Sequence, residues 1–122
     1  MKMQKSPPEL EKAFADVFPD DPRAVKRQMF GFPSGVVNGN MFGGLFEQFI
    51  VLRLAQADLH TIINDYGAQP FEPMGRPMTG YVRVPQAIVD EPHRLREWVQ
   101  RAFEFGASLP PKEKKAPKAK KR

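Results

Sequence analysis

The chain has 122 residues, 41% of them apolar, which suffices for one modest core; it shows no long uncharged apolar run and no charged-then-apolar leader, so neither a membrane span nor a secretory signal is expected, and the location should be cytoplasmic. It contains no cysteine, which excludes disulfides, a thiol nucleophile and thiolate metal sites. The net charge of +5 is concentrated in one place: Lys112 to Arg122 holds seven basic residues and one acidic, net +6, which leaves the first 111 residues at −1.

In chain order, Ser6-Pro7-Pro8-Glu9 carries the signals of a helix start, with Ser6 as N-cap and Glu9 completing a capping box. Leu10, Ala13, Phe14, Val17 and Phe18 follow at helical spacing and predict a helix ending near Pro19. Asp20-Asp21-Pro22 begins a loop that leads through Lys26 and Arg27 into the densest apolar stretch, Met29 to Leu54. There Asn38-Gly39 lies between apolar runs, the strongest short signal for a type I′ hairpin. Such a turn sets Val37 opposite Asn40, Val36 opposite Met41 and Gly35 opposite Phe42. A second reversal at Glu47-Gln48 sets Phe46 opposite Phe49 and Leu45 opposite Ile50, giving a three-stranded antiparallel meander. Gly43 and Gly44 mark a bulge or a close backbone approach in its middle strand.

Strict alternation would place Val36, Met41, Leu45, Ile50, Leu52 and Leu54 on one face, and Val37, Phe42, Phe46, Phe49, Val51 and Arg53 on the other. A sheet with one wet face should be polar at alternate positions, and this one is apolar at both. Both faces should therefore be covered, one by helices and the second by another helix, a partner subunit or a ligand. A homodimer is the expected partner arrangement.

After Leu54 the period lengthens. Leu59, Ile62, Ile63 and Tyr66 predict a second helix over Ala55 to Tyr66, ended by Gly67. Gln69 to Pro73 should be extended, Met74-Gly75-Arg76-Pro77 a turn, and Met78 to Val84 a strand completing a second hairpin, stopped by Pro85. A short helical turn over Pro85 to Val89 precedes a last helix capped by Asp90, with Leu95, Trp98, Val99, Ala102 and Phe105 as its buried stripe, fading near Leu109. The fold class is α+β, two-layered: helix, three strands, helix, two strands, helix, with an antiparallel sheet. Residues 1–109 make one domain, and 110–122 a Lys/Ala/Pro tail too polar to fold alone.

The chain supplies no recognisable reaction centre. His60 and His93 stand on different helices without partners at metal-ligand spacing, no hydrolase elbow, phosphate loop or dinucleotide fingerprint occurs, and no cofactor is implied. Arg53 and Arg83 each interrupt an apolar strand. A guanidinium among aromatics can hold a carboxylate or phosphate of a partner, whereas the structural alternatives are an ion pair with Glu47 or Glu72 or a stem that snorkels at the sheet edge. The candidate interaction surface is Phe42, Phe46, Phe49, Arg53, Tyr81, Arg83 and Arg76. The tail, through Lys112, Lys114, Lys115, Lys118, Lys120, Lys121 and Arg122, is a candidate for weak, sequence-independent phosphate contact.

Several of these segments together resemble the N-terminal domain of the TfoX/Sxy family of competence regulators. The resemblance rests on Lys26-Arg27-Gln28-Met29-Phe30-Gly31, Val37-Asn38-Gly39-Asn40-Met41-Phe42, Leu52-Arg53-Leu54, Pro70-Phe71, Met74-Gly75-Arg76-Pro77-Met78, Tyr81-Val82-Arg83-Val84-Pro85 and Trp98. It implies an α+β fold like that of type III secretion chaperones and a non-enzymatic regulatory role. Regulators of the family carry a C-terminal helical domain where this sequence has the basic tail.

Overall fold

The computed structural model describes residues 6–29, 31–72, 75–76 and 78–110. Helix α1 (Pro8–Val17) leads into a four-stranded meander, β1 (Ala24–Met29), β2 (Phe32–Val37), β3 (Asn40–Phe46) and β4 (Phe49–Arg53). Then come α2 (Gln56–Tyr66), β5 (Gln69–Pro70), β6 (Tyr81–Arg83), the single turn α3 (Gln86–Val89) and α4 (Pro92–Ser108). The six strands form one sheet in the order β1-β2-β3-β4-β6-β5, with every pairing antiparallel. The α+β, two-layer architecture expected from the sequence is the one observed.

The Asn38-Gly39 turn has positive φ at both residues, 53° and 82°, as a type I′ turn requires, and it pairs Val37 with Asn40 and Val36 with Met41. Gly35 then faces Gly43 and not Phe42, because the register shifts between Gly35 and Val36. Phe42 is thus an extra residue on β3, and this bulge exchanges the faces of everything before it relative to strict alternation. Val37 and Phe42 join Leu45, Ile50 and Leu52 on the helix side. The Phe42 ring lies 5.4 Å from Phe103 of α4 and 5.9 Å from Phe18. The glycines act by close approach: a Cβ on Gly44 would stand 2.8 Å from the Pro33 carbonyl oxygen and 2.8 Å from the Ser34 Cβ.

The joint at Glu47-Gln48 keeps the expected register, Phe46 with Phe49 and Leu45 with Ile50. Glu47 adopts a φ of 52°, and its carbonyl accepts a 2.7 Å hydrogen bond from the Ser6 hydroxyl. That bond displaces the expected capping box: Pro7 is the N-cap of α1 with no side-chain cap, and Ser6 ties the helix start to the sheet instead. One strand exceeds the sequence expectation. β1 pairs with all of β2 where a loop was expected, and its burial pattern is almost wholly exposed.

Helix α4 packs on β2, β3 and β4, and α1 packs on β3, β4 and α4. Leu95, Trp98, Val99, Ala102, Phe103 and Gly106 form the buried stripe of α4. Phe103 and Gly106 continue the spacing begun at Leu95, whereas Phe105 falls one position off it and is only half-buried. Helix α2 joins the same layer through Tyr66, edge-on to Trp98 at 6.0 Å, and through an Asp58–Arg101 ion pair of 2.9 Å. Of its expected stripe Ile62 is fully buried, but Ile63 is 39% exposed. Gly67 closes the helix in the left-handed conformation, as expected. The second hairpin forms between β5 and β6, although β6 spans only Tyr81–Arg83 of the expected Met78 to Val84. Asp90 is the C-cap of α3, and Glu91 is the N-cap of α4. Of the expected Met74–Pro77 turn, Met74 and Pro77 lie outside the described residues. Gly75 has a φ of 80°, and its N–H bonds the Glu72 carbonyl at 3.2 Å.

Candidate interaction surface

Beyond the bulge, pairing and alternation fix which side chains stand on the sheet face away from the helices. Ser34 pairs with Gly44, Gly44 with Val51 and Arg53 with Tyr81; so Phe32, Ser34, Phe46, Phe49, Val51, Arg53, Tyr81 and Arg83 share that face. It is not bare. The chain after β5 folds back over it, with the Phe71 N–H bonded to the Tyr81 carbonyl at 3.3 Å and the Met78 N–H to the Phe71 carbonyl at 2.9 Å. An aromatic run results, Phe32 to Phe46 at 5.5 Å, Phe46 to Phe71 at 5.2 Å and Phe71 to Tyr81 at 6.5 Å. The chain itself thus buries Phe32, Phe46, Val51 and Phe71.

Two residues of the expected surface are therefore interior. Phe42 is completely buried in the helix layer and Phe46 lies under Phe71. The other five are at the surface, but not together. Arg53 and Tyr81 stand at one end of β4 and β6, and Phe49 and Arg83 at the other end. Arg76 is exposed in the turn after Gly75. The tail lysines and Arg122 lie outside the described residues.

At the first end the Arg53 guanidinium is 5.7 Å from the Tyr81 ring and 5.9 Å from that of Phe105, a half-buried cation between two aromatic faces. Burial pushes the Tyr81 hydroxyl above its ordinary value, and the Arg53 charge partly opposes this. At the second end the Arg83 guanidinium stacks on Phe49 at 4.4 Å and donates a 2.6 Å hydrogen bond to Gln69 Oε1. The ion pairs among the described residues are Lys12–Asp16, Arg23–Asp21 and Arg101 with Asp58 and Glu97. Arg53 and Arg83 belong to none of these; the contacts seen for them are the aromatic rings and, for Arg83, Gln69.

The bulge adds a feature that strict alternation missed. Val25 pairs with Val36 and Val36 with Met41, and the three share the face of Arg53 and Tyr81. Val25 is 42% exposed, and Val36, Met41, Arg53 and Tyr81 are half-buried. Val25, Val36 and Met41 line up across β1, β2 and β3, and Arg53 and Tyr81 across β4 and β6. The sheet edges themselves resist strand addition: β1 carries Lys26 and Arg27, and β5 has two residues, one of them proline. Among the described residues no cluster of metal-ligating side chains occurs, and no helix is long and apolar enough to cross a membrane.

No curated relative and no solved structure shows a significant match to this chain. Residues 16–106, from the last turn of α1 to the buried Gly106 of α4, match the TfoX N-terminal domain. With that match over about three quarters of its length, the chain belongs to the TfoX N-terminal domain family.

Proposed function

We propose that this chain is a small non-enzymatic regulatory module of the cytoplasm that acts through protein–protein contacts, with a second copy of itself as the first partner to test. Family membership supports a competence-regulator-like role. The observation that carries the contact reading is the apolar row Val25, Val36 and Met41 on the same sheet face as the Arg53–Tyr81 pair: it combines apolar side chains with Met, Arg and Tyr, residue types enriched where protein surfaces meet. A guanidinium already oriented by Tyr81 and Phe105 loses little freedom when a partner carboxylate approaches it. Sedimentation equilibrium tests this on the full chain at tens of micromolar, where a useful self-association is detectable. A dimer that Met41→Glu weakens at least about tenfold is expected, since the substitution places a charge in a desolvated contact. A monomer throughout this range would refute self-association through the row.

A second reading rests on charge. The seven cations of Lys112 to Arg122 against one carboxylate suit a nucleic acid backbone. If they hold phosphates, affinity for a mixed-sequence duplex falls steeply with salt, with a logarithmic slope of about −0.9 per contact, and a version ending at Leu109 loses it. Equal binding by both versions would refute the role of the tail.

A further inference from the structure

At the end of β4 and β6 away from Arg53, the sheet, α1 and the chain around α3 enclose a cleft of about 390 Å³, within the range of small-molecule sites. Its accessible apolar lining comes from the half-buried Phe49, Pro85 and Val89, and Arg83 is the one charged side chain among its described lining residues. This arginine is held in place by the Phe49 ring at 4.4 Å and by Gln69 Oε1 at 2.6 Å.

The chemistry of that second contact fixes what the wall offers. A guanidinium has donors only, so the Gln69 atom facing it must be the carbonyl oxygen, and the Gln69 amide nitrogen is left as a donor beside Arg83. Gln86, another lining residue, spends an amide N–H on Asp90 at 2.8 Å, which leaves its side-chain carbonyl as an acceptor. One wall is therefore positive and donor-rich, beside the apolar surface of Pro85 and Val89.

We infer that this cleft binds an organic monocarboxylate with an apolar body, the carboxylate bridging Arg83 and the Gln69 amide and the body lying on Pro85 and Val89. A single cation suits a monoanion better than a phosphate dianion, and the stacked, hydrogen-bonded guanidinium is already in a fork geometry for a carboxylate. The same chemistry is found in a free small acid and in the C-terminal residue of a peptide. Two probes separate them: benzoate and N-acetyl-leucine.

The full chain, labelled with 15N, is titrated with each acid, with its uncharged counterpart (benzamide, N-acetyl-leucinamide) and with inorganic phosphate. Saturable shifts of the Ile50, Val84 and Gln86 amides are expected with one or both acids, at least about tenfold tighter than with the amides, because the hydrogen bonds lost are charge-assisted. Arg83→Gln should remove the difference between acid and amide. If Arg83→Gln loses its dispersed spectrum, Gln69→Leu, at an exposed position, should weaken acid binding instead. No shifts at the cleft, equal shifts with acid and amide, response to phosphate alone, or undiminished acid binding in a folded Arg83→Gln or Gln69→Leu variant would overturn the inference.

Discussion

Replacing Phe42 by alanine tests the feature that most alters the face assignment, the bulge in β3. In the structure Phe42 is fully buried, with its ring against Phe103 and Phe18. Under strict alternation it would stand on the opposite face, beside Arg53. The two placements differ in cost. Removing a ring from a closed core loses its transfer free energy and leaves a cavity, about 3–5 kcal/mol for Phe→Ala, and two aromatic contacts of roughly 0.5–1.5 kcal/mol each lie within that range. At a half-open surface position the same change would cost about 1 kcal/mol. A domain of this size loses about 4–8 °C of Tm per kcal/mol, so a fall of at least about 12 °C is expected for Phe42→Ala. Urea unfolding followed at Trp98 reads the loss directly. Because about 4 kcal/mol can approach the whole stability of a small domain, Phe42→Leu provides a milder companion with a loss on the scale of one or two buried methylenes, about 1–2 kcal/mol. A loss below about 1 kcal/mol for Phe42→Ala would place the ring on the open face and refute the bulged register.

Gly44→Ala should lower stability by about 1–3 kcal/mol in the same urea assay, since the new Cβ would meet the Pro33 carbonyl oxygen and Ser34, and backbone cannot step aside as a side chain can. Asn40→Ala should cost about 1 kcal/mol, because the Asn40 amide donates to the Gly106 carbonyl at 3.4 Å and the Pro110 carbonyl at 3.1 Å, closing the C-terminus of α4. In a Tyr66→Phe background, absorbance titration should show Tyr81 ionising above its ordinary value, and Arg53→Ala should raise it further by removing the one favourable charge. For stability the sign follows from linkage: a folded-state pKa above the unfolded one gives a contribution present below the unfolded pKa and lost as pH rises through the folded one, so alkaline pH destabilises the domain through Tyr81. NMR titration of Asp21 should place its carboxyl below the usual carboxylate range, because Arg23 donates to it through side chain and backbone; Arg23→Ala should raise it only part of the way back, since the backbone N–H of residue 23 still donates.

The sequence was most legible where a local rule and the tertiary structure agree. Asn38-Gly39 set one hairpin, Gly67 ended α2, and the spacing of Leu95, Trp98, Val99 and Ala102 laid out α4. It was least legible where stabilisation is not carried by side-chain periodicity. β1 is an edge strand whose residues are almost all exposed, so it is held by backbone pairing with β2 and leaves no apolar alternation to read. The bulge at Phe42 is a backbone event: nothing in Met41-Phe42-Gly43-Gly44 says which residue will be the extra one. Ser6 matched a helix cap, but a carbonyl 41 positions away took its hydroxyl, a choice that only the folded chain makes.

The same division governs the functional surface. Arg53 and Arg83 were visible as cations interrupting apolar strands, yet their partners depended on what folded beside them: Phe105 from α4 for one, Gln69 from β5 for the other. Phe42 and Phe46 were assigned to the surface because apolar residues on both faces of a sheet suggest an outside partner. The chain instead covers Phe46 itself, by bringing Phe71 against its ring, and turns Phe42 inward through the bulge. What remains at the surface is smaller and more polar than a Phe-rich patch. It consists of an apolar row sharing its face with one oriented arginine and, at the other end of β4 and β6, a cleft commanded by a second. Each arginine rests against an aromatic ring and enters none of the ion pairs found among the described residues. A fixed guanidinium at the rim of apolar surface gains most from a carboxylate that arrives with apolar surface of its own, which is why the two ends are tested with different partners: a protein surface for Arg53, a small acid for Arg83.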